Sequence, residues 1–559
     1  MNPTRRTSGA RLRRLLPVVT STLVASLVLV GCNGGGSSDD KAADGKITLT
    51  ETTPAAVGDV DSVTWALPYG EPRSLDPAKT GDYSANSIVT NLCESLLLLQ
   101  PDFSTAPGLA TAVTQKDPTT VVISLRDGVT FWDGSEMTAE DVVYSLKRNM
   151  DPKLASYAAH VFFNVASIDK TGPLEVTVRF RVPDVQFVNS MAGVPGMIVD
   201  QAFATKAGPK FGTPSTGVQC TGPFTVGSWK SGQNITLKRN PTYWDAARKA
   251  KAATFEFVFL SDDSTLTSAL LSGEVDGIYG VPLGGLAALR RSDVGTVYFG
   301  ESTETYSLGP ASDSGPAADP RIRQALDLAI DKNSFASSVL KGTGRPLKTF
   351  TPPLVWSGSP AKEVYDAGYD ALLDTSKADL EAAKKLVAEA APSRKSLTLA
   401  VPAGNQSLLQ TATLAQAAAE KLGLTLTIKQ LQPTQFGTLF YDPAARAQFD
   451  LVATTGYIEV PGALYYAPGF VLEGGLFNWT NYSDPSVTKN ILTATSATDP
   501  TASANAFVAA QKVYAPAKLQ ITLAESYNRL FLNKRLTGAP ASFSYISSPW
   551  AAQVGKAKS

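Results

Sequence analysis

Between Leu397 and Ile428 the apolar period of the chain changes twice, and this stretch constrains the fold more than any other. Leu397-Thr398-Leu399-Ala400-Val401 reads as a strand. An Ala-rich run over about 408–422 reads as a helix stopped at Gly423. Leu424, Leu426 and Ile428 then alternate as a second strand. Strand, helix and strand in that order require a crossover connection, hence a parallel βαβ unit. The expected class is therefore α/β. Other segments carry the same punctuation. Val121–Leu125 is a strand, and Thr138 with Asp141 three residues on opens a helix as a capping-box variant. Asp319-Pro320 supplies an N-cap and a first-turn proline, ahead of Ile322, Ala325, Leu326, Ala329 and Ile330 on one helical face. At 559 residues the chain exceeds one ordinary core, and two or three domains are expected.

The N-terminus reads as an address. Arg5, Arg6, Arg11, Arg13 and Arg14 precede an apolar run from Leu15 to Val30, which is 16 residues long. That is short of the roughly 20 residues of a spanning helix. The run ends Leu29-Val30-Gly31-Cys32, which resembles a bacterial lipobox with Cys32 as the lipidated first residue of the mature chain. Residues 32–59 are rich in Gly, Ser, Asp, Thr and Ala and read as a flexible tether. Residues 1–31, the expected signal peptide, carry five Arg and no acid, so their removal leaves a net charge of −5. The expected place is outside the cytoplasm, lipid-anchored on the outer face of the cell membrane or periplasmic.

Composition narrows the chemistry. Hydrophobic residues are 43% and charged residues 18%, which suits a large buried core. There is no basic run after Arg14, which argues against a nucleic-acid partner. One His (His160), three Cys and five Met leave few ligands for a metal and little acid–base chemistry near pH 7. No cofactor and no metal are expected. A hydrolase would need a nucleophile and a base, and there is no Gly-x-Ser-x-Gly elbow, so an enzyme is not expected. Cys93 and Cys220 are an even pair in an oxidising compartment, a disulfide candidate; two separate buried thiols are the alternative.

Further motifs carry a family resemblance. They are Ser74-Leu75-Asp76-Pro77, Pro107-Gly108-Leu109-Ala110, and Leu125 to Gly134 with Thr138 to Ser145 behind it. Thr221-Gly222-Pro223-Phe224, Arg239 to Trp244, Gly273-Glu274-Val275-Asp276, Asp319 to Leu326 and Phe449-Asp450-Leu451 complete the set. In this order the chain resembles the peptide/nickel-binding family of solute-binding proteins of ABC importers. The resemblance implies a type II periplasmic-binding-protein-like fold in its large three-subdomain form, with two lobes and two hinge crossovers. Lobe I would comprise 60–105, 212–300 and 525–559, with an inserted subdomain at 106–211; lobe II would be 307–520. The hinge strands would lie near Ser302–Leu308 and Ile521–Tyr527. The implied function is capture of a short peptide or peptide-like solute and its delivery, by a monomeric receptor, to ABC permease subunits. A non-peptide solute (oligosaccharide, metal chelate or haem) and a sensor without transport are the alternatives.

The resemblance also implies ligand-facing positions. Asp82 and Tyr83 follow the Leu-Asp-Pro motif, Tyr157 lies in the inserted subdomain, and Tyr279 follows Asp276. Gly456, Tyr457 and Ile458 would pair with a peptide backbone, walled by the tyrosines. Peptide binders of the family place an Asp shortly after the Gly-aromatic pair to hold the ligand's α-ammonium. Here that position is Val460, and Glu459 is the carboxylate beside it. Glu459 is therefore expected to meet a cationic group.

Overall fold

The computed structural model of the protein describes residues 47–558. Cys32, the signal peptide and the start of the tether lie outside the described residues. The tether does not run as far as residue 59. Leu49 bridges to Phe299, Thr52 to Pro540 and Gly58 to Lys556, so the backbone is tied down well before that point.

The βαβ unit forms as its apolar periods dictate. Strand Ser396–Pro402 runs parallel to Thr425–Leu431, with Leu397 opposite Leu426, and helix Gln406–Lys421 crosses between them. The Asn405 side chain caps the helix by accepting the Leu408 N–H at 3.0 Å. Gly423, at φ +71°, turns the chain after the helix. Leu408, Ala412, Ala415 and Ala419 are buried against the sheet, and the small alanines let the helix lie close. The six-stranded sheet runs Gly344–Pro346, Ile521–Ser526, Thr305–Pro310, Leu451–Gly456, Ser396–Pro402, Thr425–Leu431.

A seven-stranded sheet carries the other lobe. Its order is Gly295–Gly300, Asn528–Asn533, Gly277–Tyr279, Val60–Leu67, Ala252–Phe259, Asn234–Arg239, Phe224–Lys230. Between the first and last of these segments in sequence sits an antiparallel four-stranded sheet, Ala110–Asp117, Thr120–Leu125, Glu175–Phe180 and Val165–Gly172. The helix beside it starts at the capping box: Thr138 accepts the Asp141 N–H, and Asp141 accepts the Thr138 N–H at 2.9 Å.

The chain crosses between the two large sheets twice. It leaves Gly300 in one and enters Thr305 in the other, then returns from Ser526 to Asn528 with Tyr527 between. The two crossings are stitched together. Ser526 N–H donates to Glu304 O at 3.0 Å, and its hydroxyl donates to the Glu304 carboxylate at 2.6 Å. Strand Ile521–Ser526 pairs along Thr305–Pro310, so the second sheet continues past residue 520 to Ser526. This is the two-lobed α/β fold of type II binding proteins.

Cys93 and Cys220 are bonded, with Cα atoms 4.9 Å apart. Their neighbours form a second tie. The buried Glu94 carboxylate accepts from Thr221 Oγ1 at 2.9 Å, Tyr243 Oη at 2.6 Å and Trp244 Nε1 at 2.8 Å. Asn240-Pro241-Thr242-Tyr243-Trp244 is thus a packed turn rather than a ligand site. The bridge joins residues 127 apart in sequence. Replacing both cysteines by Ser should cost about 2–5 kcal/mol. Denaturant unfolding checks this, and a midpoint equal to wild type would contradict it.

Candidate functional site

A cavity of about 700 Å³ lies where residues of both large sheets and of the inserted subdomain meet. Its volume suits a small ligand. From the first lobe come Tyr69, Asp82 and Tyr83, and from the insert Tyr157. From the second lobe come Thr454, Thr455, Gly456 and Tyr457.

Local sequence explains these placements. Asp82 is the N-cap of helix Tyr83–Val89 and accepts the Ala85 N–H at 2.8 Å. This fixes its carboxyl at the cavity edge, with Tyr83 in the first turn. Tyr69 stacks on Tyr83 with ring centroids 4.2 Å apart, and Tyr83 meets Tyr457 at 4.5 Å. Asn86 donates to the Tyr457 hydroxyl at 3.2 Å, a bond from one lobe to the other. Tyr157 lies against Gly81, where any Cβ would come 2.4 Å from its ring. A glycine is therefore required there for the inserted subdomain to approach. Burial pushes the Tyr69, Tyr83, Tyr157 and Tyr457 hydroxyls well above their ordinary pKa, so they stay neutral.

The strand Leu451–Gly456 has one filled edge and one that opens. It pairs with Thr305–Pro310 along its whole length, from Thr305 opposite Gly456 to Pro310 opposite Leu451. On its other side, pairing with Ser396–Pro402 covers Leu399 with Leu451 and Ala400 with Val452. Past Val452 the strands diverge, and Thr454, Thr455 and Gly456 line the cavity. A strand edge that faces a cavity offers backbone donors and acceptors to an extended ligand.

Five of the eight expected ligand positions meet here: Asp82, Tyr83, Tyr157, Gly456 and Tyr457. The other three are placed elsewhere. Tyr279 belongs to the first lobe's core, because its strand lies inside the seven-stranded sheet. Its ring stacks on Tyr545 at 3.5 Å and its hydroxyl donates to Pro540 O at 2.9 Å. Ile458 is 1% exposed, and Thr303 Oγ1 occupies its backbone, donating to Ile458 O at 2.6 Å and accepting its N–H at 3.2 Å. The strand ends at Gly456, so the chain beyond Tyr457 bends into the packing between lobes.

Glu459 follows that bend and, among the described residues, is held by neutral donors rather than by a cation. It is 3% exposed. One oxygen accepts Val194 N–H of the insert at 2.7 Å and Ser547 Oγ of the C-terminal segment at 3.2 Å; the other accepts Tyr465 Oη of the second lobe at 3.0 Å. Burial pushes its carboxyl above the ordinary range. Glu459 thus ties three parts of the molecule. A second tie spans the cleft rim: Asp263, in first-lobe helix Asp263–Ser272, accepts Gln406 N–H at 3.0 Å at the start of helix Gln406–Lys421. A carboxylate there is favoured by the helix dipole.

Sequence reading missed much of the second lobe's wall. Phe436, Phe440, Tyr441, Phe477 and Trp479 line the cavity. Phe436 and Phe440, four residues apart after Pro433, carried a helical signal. Nothing in the sequence brought them near Tyr83.

Glu459 generates a prediction of sign as well as size. Between its ordinary and raised pKa the folded state holds a proton that the unfolded state has lost. Stability should therefore fall as pH rises through that window, and Glu459→Gln should flatten this slope. Glu459→Ala leaves three donors unpaired and should cost about 2–5 kcal/mol. Denaturant unfolding across pH checks both. Stability and slope equal to wild type in both variants would contradict the assignment.

Comparison with known proteins agrees with this geometry. The family described as bacterial extracellular solute-binding proteins, family 5 (middle), matches residues 104–478. The periplasmic oligopeptide-binding protein OppA of Escherichia coli is 27% identical over 468 residues, covering 79% of this chain and 83% of that protein. The structure of the oligopeptide-binding protein AppA from Bacillus subtilis, in complex with a nonapeptide, superposes with a TM-score of 0.79 at 18% identity. It covers 90% of this chain and all of that one. NikA from Staphylococcus aureus, in complex with Ni(L-His)2, gives a TM-score of 0.75 at 19% identity, covering 87% of this chain and 98% of that one. The chain belongs to the family 5 extracellular solute-binding proteins, the peptide/nickel-binding family of ABC-importer binding proteins, which bind solutes rather than act as enzymes.

Proposed function

We propose that the protein is a membrane-anchored receptor that captures short peptides or peptide-like solutes and hands them to an ABC permease. The observation that carries this reading is the open edge at Thr454–Gly456 within an aromatic cavity. Every residue of a peptide carries the same backbone donor and acceptor, so edge pairing accepts many sequences. Tyrosine walls add large apolar contact with a hydroxyl for varied side chains. The oligopeptide-binding relative in Escherichia coli and the nonapeptide complex of AppA support a peptide ligand. The Arg-rich start, short apolar run and Gly31-Cys32 junction support a lipid anchor at Cys32 outside the cytoplasm.

Titration calorimetry with a pool of di- to pentapeptides tests the ligand class. Binding is expected, and alternate N-methylation of the peptide backbone should weaken it at least tenfold, by about 1.4 kcal/mol or more. Failure of every peptide to bind, with a sugar or metal chelate co-purifying, would overturn the peptide reading. The anchor is tested separately. Cys32→Ala should move the protein out of the detergent phase in cell fractionation, and unchanged partitioning would contradict lipidation.

A further inference from the structure

A solute entering this cavity meets few charges. Among the lining residues, Glu71, Arg73 and Asp82 are the acidic and basic side chains. Glu71 is already engaged by its own lobe. Its two oxygens accept from Trp229 Nε1 at 2.7 Å, Ser231 Oγ at 2.9 and 3.1 Å, and Gly232 N–H at 2.8 Å. Arg73 covers the Tyr441 ring, its guanidinium carbon 4.9 Å from the centroid, and Asp82 feels its charge. Glu459, the carboxylate expected to face the ligand, is turned away into the packing between lobes. That leaves Asp82.

Asp82 is well set for an incoming cation. Its Oδ1 caps the helix at Ala85, and the Ser84 backbone is a further partner of the carboxylate. Tyr157, Tyr441 and Tyr457 stand close enough for their hydroxyls to feel its charge. Burial pushes the Asp82 carboxyl above its ordinary range, and the Ala85 and Ser84 backbone N–H groups, then Arg73, offset part of this. A carboxylate in such surroundings is costly until a cation joins it.

Resting on the peptide reading above, we propose that Asp82 is the specificity-determining residue of the cleft: it receives a cationic group of the solute, supplied by the α-ammonium of a short peptide or by a Lys or Arg side chain within it. The ligand is thereby anchored to the helix cap at one end and to the strand edge Thr454–Gly456 along its backbone.

The test is calorimetry on the full chain, wild type and Asp82→Asn. Asn is as good an N-cap as Asp, so the helix start is kept; a matching thermal midpoint confirms the fold. Three peptides of one length serve as probes: a free peptide with neutral side chains, its N-acetylated form, and an N-acetylated form with one internal Lys. The substitution should weaken the free peptide at least tenfold and leave the neutral acetylated peptide unchanged. A matching loss for the Lys peptide places the side-chain cation at Asp82; its absence assigns the site to the α-ammonium. Unchanged affinity for all three peptides would overturn the role of Asp82 while leaving the peptide reading intact. Failure of all three to bind wild type would overturn both.

Discussion

The behaviour of this molecule depends on two crossings between its large sheets. Glu301–Glu304 carries the chain one way and Tyr527 carries it back. They are joined side by side through Ser526 and Glu304, a hydrogen-bonded strap beside the interlobe packing around Tyr457 and Glu459. A neighbouring pair, Arg345 and Glu525, adds charge to this strap, and burial pushes Glu525 up to about 7. Under the proposed function, closure on a solute would shift a population between open and closed arrangements.

What the lobes close on follows from where one strand loses its neighbour. Leu451–Gly456 is held on one side throughout, so its direction is fixed by the sheet. Its other edge is released after Val452, because the parallel strand Ser396–Pro402 leads away to the helix it feeds. The βαβ unit thus shapes the site that its Pro402, Asn405 and Leu408 also line: helix and crossover draw one strand off and leave the next exposed. Aromatic side chains from both lobes and the inserted subdomain line the same cavity. Contacts such as Asn86 to Tyr457 and Asp263 to Gln406 hold the rim without occupying the cavity.

Much of this was legible in the sequence, and the limit has a physical cause. Period and capping are local, so the βαβ unit, the Thr138 capping box and the Asp319-Pro320 helix start could be read residue by residue. The ordered motifs carried the two-lobed fold. Five of eight expected ligand residues meet in the cavity, because they sit at element ends whose position follows from the fold. Glu459 and Ile458 could not be placed, since a side chain's direction after a strand end depends on what packs there. The contacts with Val194, Ser547 and Thr303 come from residues far away in sequence. Tyr279 failed similarly: a Tyr after a turn suits a cleft or a core, and Tyr545, invisible locally, decides for the core.

The central claim is that a solute joins the open edge of Leu451–Gly456 between the lobes. Amide hydrogen exchange, followed by mass spectrometry with and without a bound oligopeptide, tests it most directly. The account predicts slower exchange in fragments spanning Thr454–Tyr457 and, as the lobes close, at Gly404–Gln406. Saturating binding with exchange unchanged in both segments would contradict it.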